Sequence, residues 1–248
     1  MHFVWLDAQR LLTLVYNRNP LQRKTCSMQD CPPHERRAFG LSLPSPTHPE
    51  LRLLKGRDAP REQGHKAWNA GWLLMDFLQH HRPATGARVL DIGCGWGLCG
   101  IFCARTFAAR VTSTDIDPRV FPFVDLHAQF NGVCVDAKPL AFDQIDCALL
   151  GAQDLIVGAD ICFRHTMISP VLKLIDRALT CGVQQLLIAD PGRPAFLSLG
   201  RHCVEHLNAV LSPWETVEPL VAWSGQRPSI RGYILRFGSW PPADSKHS

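Results

Sequence analysis

Val89-Leu90-Asp91-Ile92-Gly93-Cys94-Gly95-Trp96-Gly97-Leu98-Cys99-Gly100 is the stretch from which the fold is read. An apolar run ends in an acid, closely spaced glycines follow, and an apolar helical pattern comes next: a strand, a tight turn and a helix start. Glycines in such a turn adopt positive φ and let a ligand approach the backbone with no Cβ in the way, while the helix N-terminus offers unpaired N–H groups. Nucleotides bind at turns of this kind. Two ligand classes compete for it. Gly95, Gly97 and Gly100 satisfy the G-x-G-x-x-G spacing, and Asp115 lies about 20 residues on, as the ribose-binding acid of a dinucleotide fold does. Asp91, two residues before the first glycine, and Gly93, which sets the turn one step earlier, speak for a different ligand.

The string Val-Leu-Asp-Ile-Gly-Cys-Gly-Trp-Gly resembles the first motif of the class I S-adenosylmethionine-dependent methyltransferases. The resemblance implies an α/β fold, a doubly wound, mostly parallel seven-stranded sheet of Rossmann-like type closed by a C-terminal antiparallel hairpin. It also assigns roles. Asp91 faces the methionine end of the cofactor, Gly93, Gly95 and Gly97 pack beneath it, and Asp115 holds the ribose hydroxyls.

Composition sets the outer limits. A chain of 248 residues with 46% hydrophobic side chains suits one large α/β domain with extra N-terminal structure. The net charge of +4 is spread along the chain with no basic block, so a nucleic-acid partner is not expected. No apolar stretch reaches the roughly 18 to 20 residues of a membrane span, and residues 1–17 lack the layout of an export signal. A cytoplasmic protein with no membrane partner, monomeric, is expected. The ten cysteines are expected to be thiols, most of them buried, because most fall inside predicted strands and helices of a long chain. No Cys-x-x-Cys pair occurs, and no metal site is expected.

In chain order, residues 1–17 carry the spacing of a short amphipathic helix. Residues 18–63 are rich in Pro, Arg and His, and an irregular or partly disordered connection is expected there. Residues 1–63 thus read as an N-terminal extension, with the alternative that translation starts later. Residues 64–240 read as the methyltransferase domain and 241–248 as a tail. From Gly64 a helical face runs through Trp68, Trp72, Met75 and Leu78 towards Pro83. Core packing explains any one of these aromatics. Resemblance to the family 16 methyltransferases, which include many protein lysine methyltransferases, gives Trp68 a second role in closing over the cofactor.

Leu98 to Phe107 has helix spacing, and Arg110 to Asp115 is a β-branched run ending in acid, the second strand. By resemblance Ile116 lies against the adenine. Asp117-Pro118 starts the next helix, with Asp117 read as its cap, and Asn131-Gly132 ends it. The third strand is poorly marked: an apolar start at Val133 is interrupted by Asp136, Lys138 and Pro139, and Phe142 beyond it is a match for a residue that abuts the adenine. The fourth strand, Asp154 to Asp160, is an apolar run ending in an acid, as a strand buried on both faces should be, with the ligand crevice beyond its carboxyl end. Ala159 therefore borders the cofactor. Asp160 either enters the cleft or caps the following helix.

Family 16 enzymes carry Asp-x-x-Tyr or Asp-x-x-Phe at this point, beside the transferred methyl, and Asp160 with Phe163 matches the aromatic form. Phe163 supplies no hydroxyl, which leaves the acid and shape to orient the substrate. Enzymes that methylate amide or base nitrogens typically show Pro-Pro-Tyr after this acid, and Asp160-Ile161-Cys162-Phe163 has no proline. An amine is the expected acceptor, and His165 is a reachable candidate for removing its proton. The fifth strand ends in Asp190-Pro191-Gly192-Arg193, which resembles a branch grouped around electron-transfer-flavoprotein β-subunit lysine methyltransferases and nicotinamide N-methyltransferase-like proteins. Arg193 is either a clamp for a substrate carboxylate or a surface turn residue. Two strands, near 214–223 and 230–237, make the closing hairpin.

These residues imply an S-adenosylmethionine-dependent N-methyltransferase acting on a protein lysine or a small-molecule amine. A non-catalytic module that binds S-adenosylmethionine and a dinucleotide oxidoreductase stay open beside it.

Overall fold

Residues in the clearest of the runs that the sequence marks as strands alternate between two apolar layers, and that alternation builds the sheet. A computed structural model describes residues 34–57, 60, 69–220 and 227–242. The strands are β3 (Arg88–Ile92), β4 (Arg110–Asp115), β5 (Asp136–Pro139), β6 (Leu155–Ala159), β7 (Gln185–Asp190), β8 (Val210–Val217) and β9 (Ser229–Phe237). They form one seven-stranded sheet in the order β5-β4-β3-β6-β7-β9-β8. The first five are mutually parallel, and β9 runs antiparallel to both β7 and β8.

Val89, Val111, Val157 and Leu187 face one core, shared with helices α2 (Asn69–His80) and α3 (Leu98–Phe107). Leu90, Ile156, Leu186 and Ile188 face the other, shared with α6 (Ile168–Thr180) and α7 (Pro194–His206). In this doubly wound sheet the chain steps outward from β3 through β4 to β5, then returns to the other side of β3 for β6 and β7. The reversal leaves a crevice at the carboxyl ends of β3 and β6. The expected fold class is the one found.

Three expectations are corrected. The third strand is not the apolar start at Val133 but Asp136–Pro139, made of the residues that interrupted the run. Among the described residues it pairs only with β4, and an edge strand needs no double apolar pattern and tolerates a terminal proline.

The segment expected to be irregular carries a hairpin, β1 (Glu35–Ala38) with β2 (Leu41–Pro44), and a helix, α1 (Pro49–Arg57). The prolines bound these short elements instead of breaking them: Pro44 ends a strand and Pro49 opens a helix, where its missing N–H costs nothing. Leu41 is fully buried in the first core, and Leu51 packs with Phe123 and Leu126 of α4 (Phe121–Asn131). Asn131 ties the hairpin down. Its side chain accepts from the Ser42 N–H and donates to the Ser42 carbonyl, both at 2.9 Å.

The third correction concerns the cysteines. Cys147, the first residue of α5 (Cys147–Gly151), and Cys181, which follows α6, are joined as a disulfide, not left as thiols. Cys99, Cys103, Cys162 and Cys203 are buried thiols as expected. Cys26, Cys31, the helix read in residues 1–17 and the turn at Gly225 fall outside the described residues. Among the described residues no helix is long and apolar enough to cross a membrane.

Candidate functional site

The turn after β3 is shaped by its own packing. Gly93, Gly95 and Gly97 have φ of 59°, 53° and 72°. A Cβ on Gly93 would stand 2.9 Å from Ile161 Cγ2, and one on Gly97 2.9 Å from Val124 Cγ1, so both positions are closed to a side chain. Gly95 meets nothing within 4 Å. It is the point at which a ligand can reach the backbone.

Asp91 lies beneath this turn, 2% exposed. Its Oδ2 accepts the Gly100 N–H at 2.9 Å. Burial pushes its carboxyl up to about 7, against the pull of that N–H and with the Asp115 charge adding to the rise. Gly100 is required here, because a Cβ would stand 2.8 Å from Val111 Cγ1 and 3.1 Å from Asp91 Oδ2. The Ser113 hydroxyl, 3.1 Å from the same point, is buried with no hydrogen-bond partner among the described residues.

Asp115 closes β4 on the opposite side of the turn. Oδ2 accepts the Gly95 N–H at 3.0 Å and Oδ1 accepts the Asp117 N–H at 2.9 Å. Burial raises its carboxyl, and these two N–H groups oppose the rise. Each oxygen retains a second lone pair for a ligand hydroxyl. Ile116, beside it, is 75% exposed. Asp117 caps the following turn, accepting from the Arg119 N–H at 3.2 Å, in agreement with its reading as a cap.

Phe142 is half-buried, with ring carbon Cζ 3.6 Å from where a Cβ on Gly93 would be, so the ring lies against the turn. Its carbonyl accepts from Arg177 Nη2 at 2.5 Å, and the Ile145 carbonyl accepts from Arg177 Nε at 2.9 Å. The contacts place Phe142 at Gly93, Asp115 at Gly95 and Asp91 at Gly100, along one turn.

Ala159, half-buried, is the last residue of β6, and Asp160 follows it with φ of 64°, its N–H donating to the Ala189 carbonyl at 2.9 Å. The Asp160 side chain is buried and paired. Arg193 Nη1 donates to Asp160 Oδ1 and to Asp190 Oδ2, the latter at 3.2 Å, while Nη2 donates to Asp160 Oδ2 at 3.1 Å. The other Asp190 oxygen accepts the N–H groups of Gly192 and Arg193, both at 2.8 Å. Burial pushes the Asp190 carboxyl up to about 6 in spite of those two bonds.

Arg193, half-buried in the turn between β7 and α7, holds the protein's own acids. Asp190 was missed, although it ends an apolar strand as Asp91 and Asp160 do, which was the available signal. Phe163 is half-buried with the Arg164 guanidinium 4.9 Å over its ring. His165 is exposed at the start of a short 3-10 turn. Trp68 lies outside the described residues. Among the described residues no cluster of His, Cys, Asp and Glu has the makings of a metal site.

Buried acids at two ends of a main-chain turn suit a ligand with a cationic head and a sugar diol, and Ile116 with Phe142 offers apolar faces for a base.

The lysine methyltransferase family matches residues 48–193. The electron transfer flavoprotein beta subunit lysine methyltransferase of Rattus norvegicus is 26% identical over 153 residues, 61% of this chain and 58% of its own length. The ubiquinone biosynthesis O-methyltransferase of Chromobacterium violaceum is 27% identical over 139 residues, 56% of each chain. The chain therefore spans little more than half the length of these curated relatives. Among solved structures, the precorrin-6y C5,15-methyltransferase of Geobacter metallireducens superposes with a TM-score of 0.50 at 13% identity, over 73% of this chain and 94% of that one, a likeness of fold.

Proposed function

This chain belongs to the lysine methyltransferase family, and on that footing we propose that it transfers a methyl group from S-adenosylmethionine to an amine, with a protein lysine side chain as the first candidate. The observation that carries the reading is the glycine turn bracketed by Asp91 and Asp115, with Asp160 at the end of the neighbouring strand. Family membership removes the dinucleotide reading.

The residues fit the cofactor. Gly95 opens onto space that a side chain would fill, and Asp115 keeps lone pairs for ribose hydroxyls. Ile116 and Phe142 offer faces for adenine, Ala159 borders the cleft, and Asp91 suits the cationic methionine end. Trp68 is proposed to close over it. When bound, S-adenosylmethionine would supply a methyl carbon activated by its sulfonium, open to attack by an amine lone pair with the C–S electron pair going to sulfur and S-adenosylhomocysteine as the leaving group. The protein's part is to bring the nucleophile into line and keep it there. Asp160 and the Phe163 ring frame the acceptor, and the nitrogen's surplus proton leaves to solvent past the exposed His165. The missing proline after Asp160 favours an amine over an amide nitrogen. We further propose a cytoplasmic, monomeric enzyme.

Incubation with S-adenosylmethionine labelled in the methyl group and a cell lysate, followed by acid hydrolysis of the labelled protein, tests this. Label is expected in N-methylated lysine, and label confined to base-labile esters or ethers contradicts it. A second reading, a module that binds the cofactor without transfer, is favoured by one observation: Arg193 already holds both Asp160 oxygens. It predicts cofactor binding with no S-adenosylhomocysteine formed from any lysate fraction.

A further inference from the structure

The cofactor turn makes no use of Arg193, yet the local backbone is arranged to hold that side chain in place. Asp190 fixes the turn by accepting two of its N–H groups, and Gly192 takes φ of 98° with Tyr233 ring carbons 3.0 and 3.1 Å from where a Cβ would be. Pro194 then begins α7. From this mount the guanidinium spans Asp160 and Asp190, two acids at the ends of adjacent parallel strands. Ile161, the residue after Asp160, packs against Gly93, which places the end of β6 that carries Asp160 beside the glycine turn.

An amine attacks only when unprotonated. A buried, unpaired carboxylate stabilises a nearby ammonium and raises the amine's pKa, which removes the nucleophile. A guanidinium fork on that carboxylate occupies both its oxygens and offsets its charge, a charge it shares here with Asp190. We propose that Arg193 is a positioning residue that competes with the acceptor's cationic form for Asp160, so that the crevice rejects ammonium and admits the neutral amine. The proposal rests on the reading of the site as an amine methyltransferase.

Sinefungin probes it without knowledge of the acceptor. This nucleoside matches S-adenosylhomocysteine except that an amine-bearing carbon replaces the sulfur, so it carries an ammonium where the methyl group would be. Calorimetry on the whole chain at neutral pH gives the ratio of the two dissociation constants. Arg193→Met is expected to move the ratio about tenfold towards sinefungin, the worth of one charge-assisted hydrogen bond. Arg193→Lys should restore part of the wild-type ratio, and Asp160→Asn combined with Arg193→Met should cancel the gain. Arg193→Gln provides the same comparison if the methionine variant does not fold. Both ligands binding with a ratio that Arg193→Met or Arg193→Gln leaves unchanged overturns the proposal. Failure of the wild-type chain to bind either ligand overturns the methyltransferase reading itself, and this inference with it.

Discussion

Asp91 and His127 respond to protons in opposite senses, and each sense can be measured. The Asp91 carboxyl, pushed up to about 7 by burial, is partly protonated in the ligand-free protein near neutrality. A cationic ligand favours its charged form, so binding lowers that value and releases a proton. Affinity for S-adenosylmethionine is then full above about 7 and falls as the pH drops through that value. Calorimetric enthalpies near pH 6.5 are expected to vary with the buffer's heat of ionisation in the wild type and not in Asp91→Asn. No buffer dependence in the wild type contradicts this account.

His127 is buried under the Trp96 ring, with its Nδ1 2.6 Å from the Phe123 carbonyl. Burial pushes it down to about 4, with the Lys55 charge adding to the fall. The unfolded chain therefore binds the extra proton first, and stability is lost as the pH falls from about 6.5 towards 4. The effect is on the order of 3 kcal/mol for a shift of this size. Asp91 and Asp190 act the other way: with folded values raised, their contribution is complete at low pH and lost as the pH rises through about 6 to 7. Urea unfolding should show His127→Gln gaining on the wild type as the pH falls from about 6.5 towards 4, by an amount on the order of 3 kcal/mol, while the carboxyl contributions of Asp91 and Asp190 are common to both chains. At this scale the strand-end acids were legible, because an acid closing an apolar run is a local signal. The partners of Arg193 were not, because Asp160 lies 33 residues away and meets it only across adjacent strands.

Among the elements, α6 does more than cover the sheet. Its Arg177 holds two carbonyls of the loop that carries Phe142 against the glycine turn. Arg177→Met removes both bonds and leaves the carbonyls unpaired, at a cost of about 1 to 3 kcal/mol. It should also lower affinity for S-adenosylhomocysteine by about tenfold if the loop lines the adenine. An affinity equal to wild type would detach Phe142 from the site.

Helix ends were read well because their signals are local: Gly132 takes the left-handed cap after Asn131, and Asp117 caps the turn that follows it. Edge strand β5 was not, since half-exposed pairing leaves little pattern to read. The hairpin was hidden for another reason. Its strands are four residues each, and their apolar faces become meaningful only once Asn131 and the first core are in place.

At the scale of the molecule, residues 34–57 are part of the packed body and not an appendage. Leu41, Leu43 and Leu51 are buried, and Phe39 stacks on Trp72 with ring centroids 6.1 Å apart. Burying a leucine is worth about 1.5 to 3 kcal/mol, so a chain beginning after Arg57 is expected to lose several kcal/mol and to melt well below the parent. An unchanged melting temperature would return this stretch to the role of a dispensable extension. We accordingly propose that the methyltransferase unit begins at the hairpin, upstream of Gly64.

The whole account turns on a pocket of main-chain amides between Asp91 and Asp115. Calorimetric titration of the purified 248-residue chain with S-adenosylmethionine tests it most directly. One molecule should bind per chain, displaced by S-adenosylhomocysteine and unaffected by NAD. No uptake at ligand concentrations up to about 1 mM, where even an affinity of −4 kcal/mol registers, would contradict it.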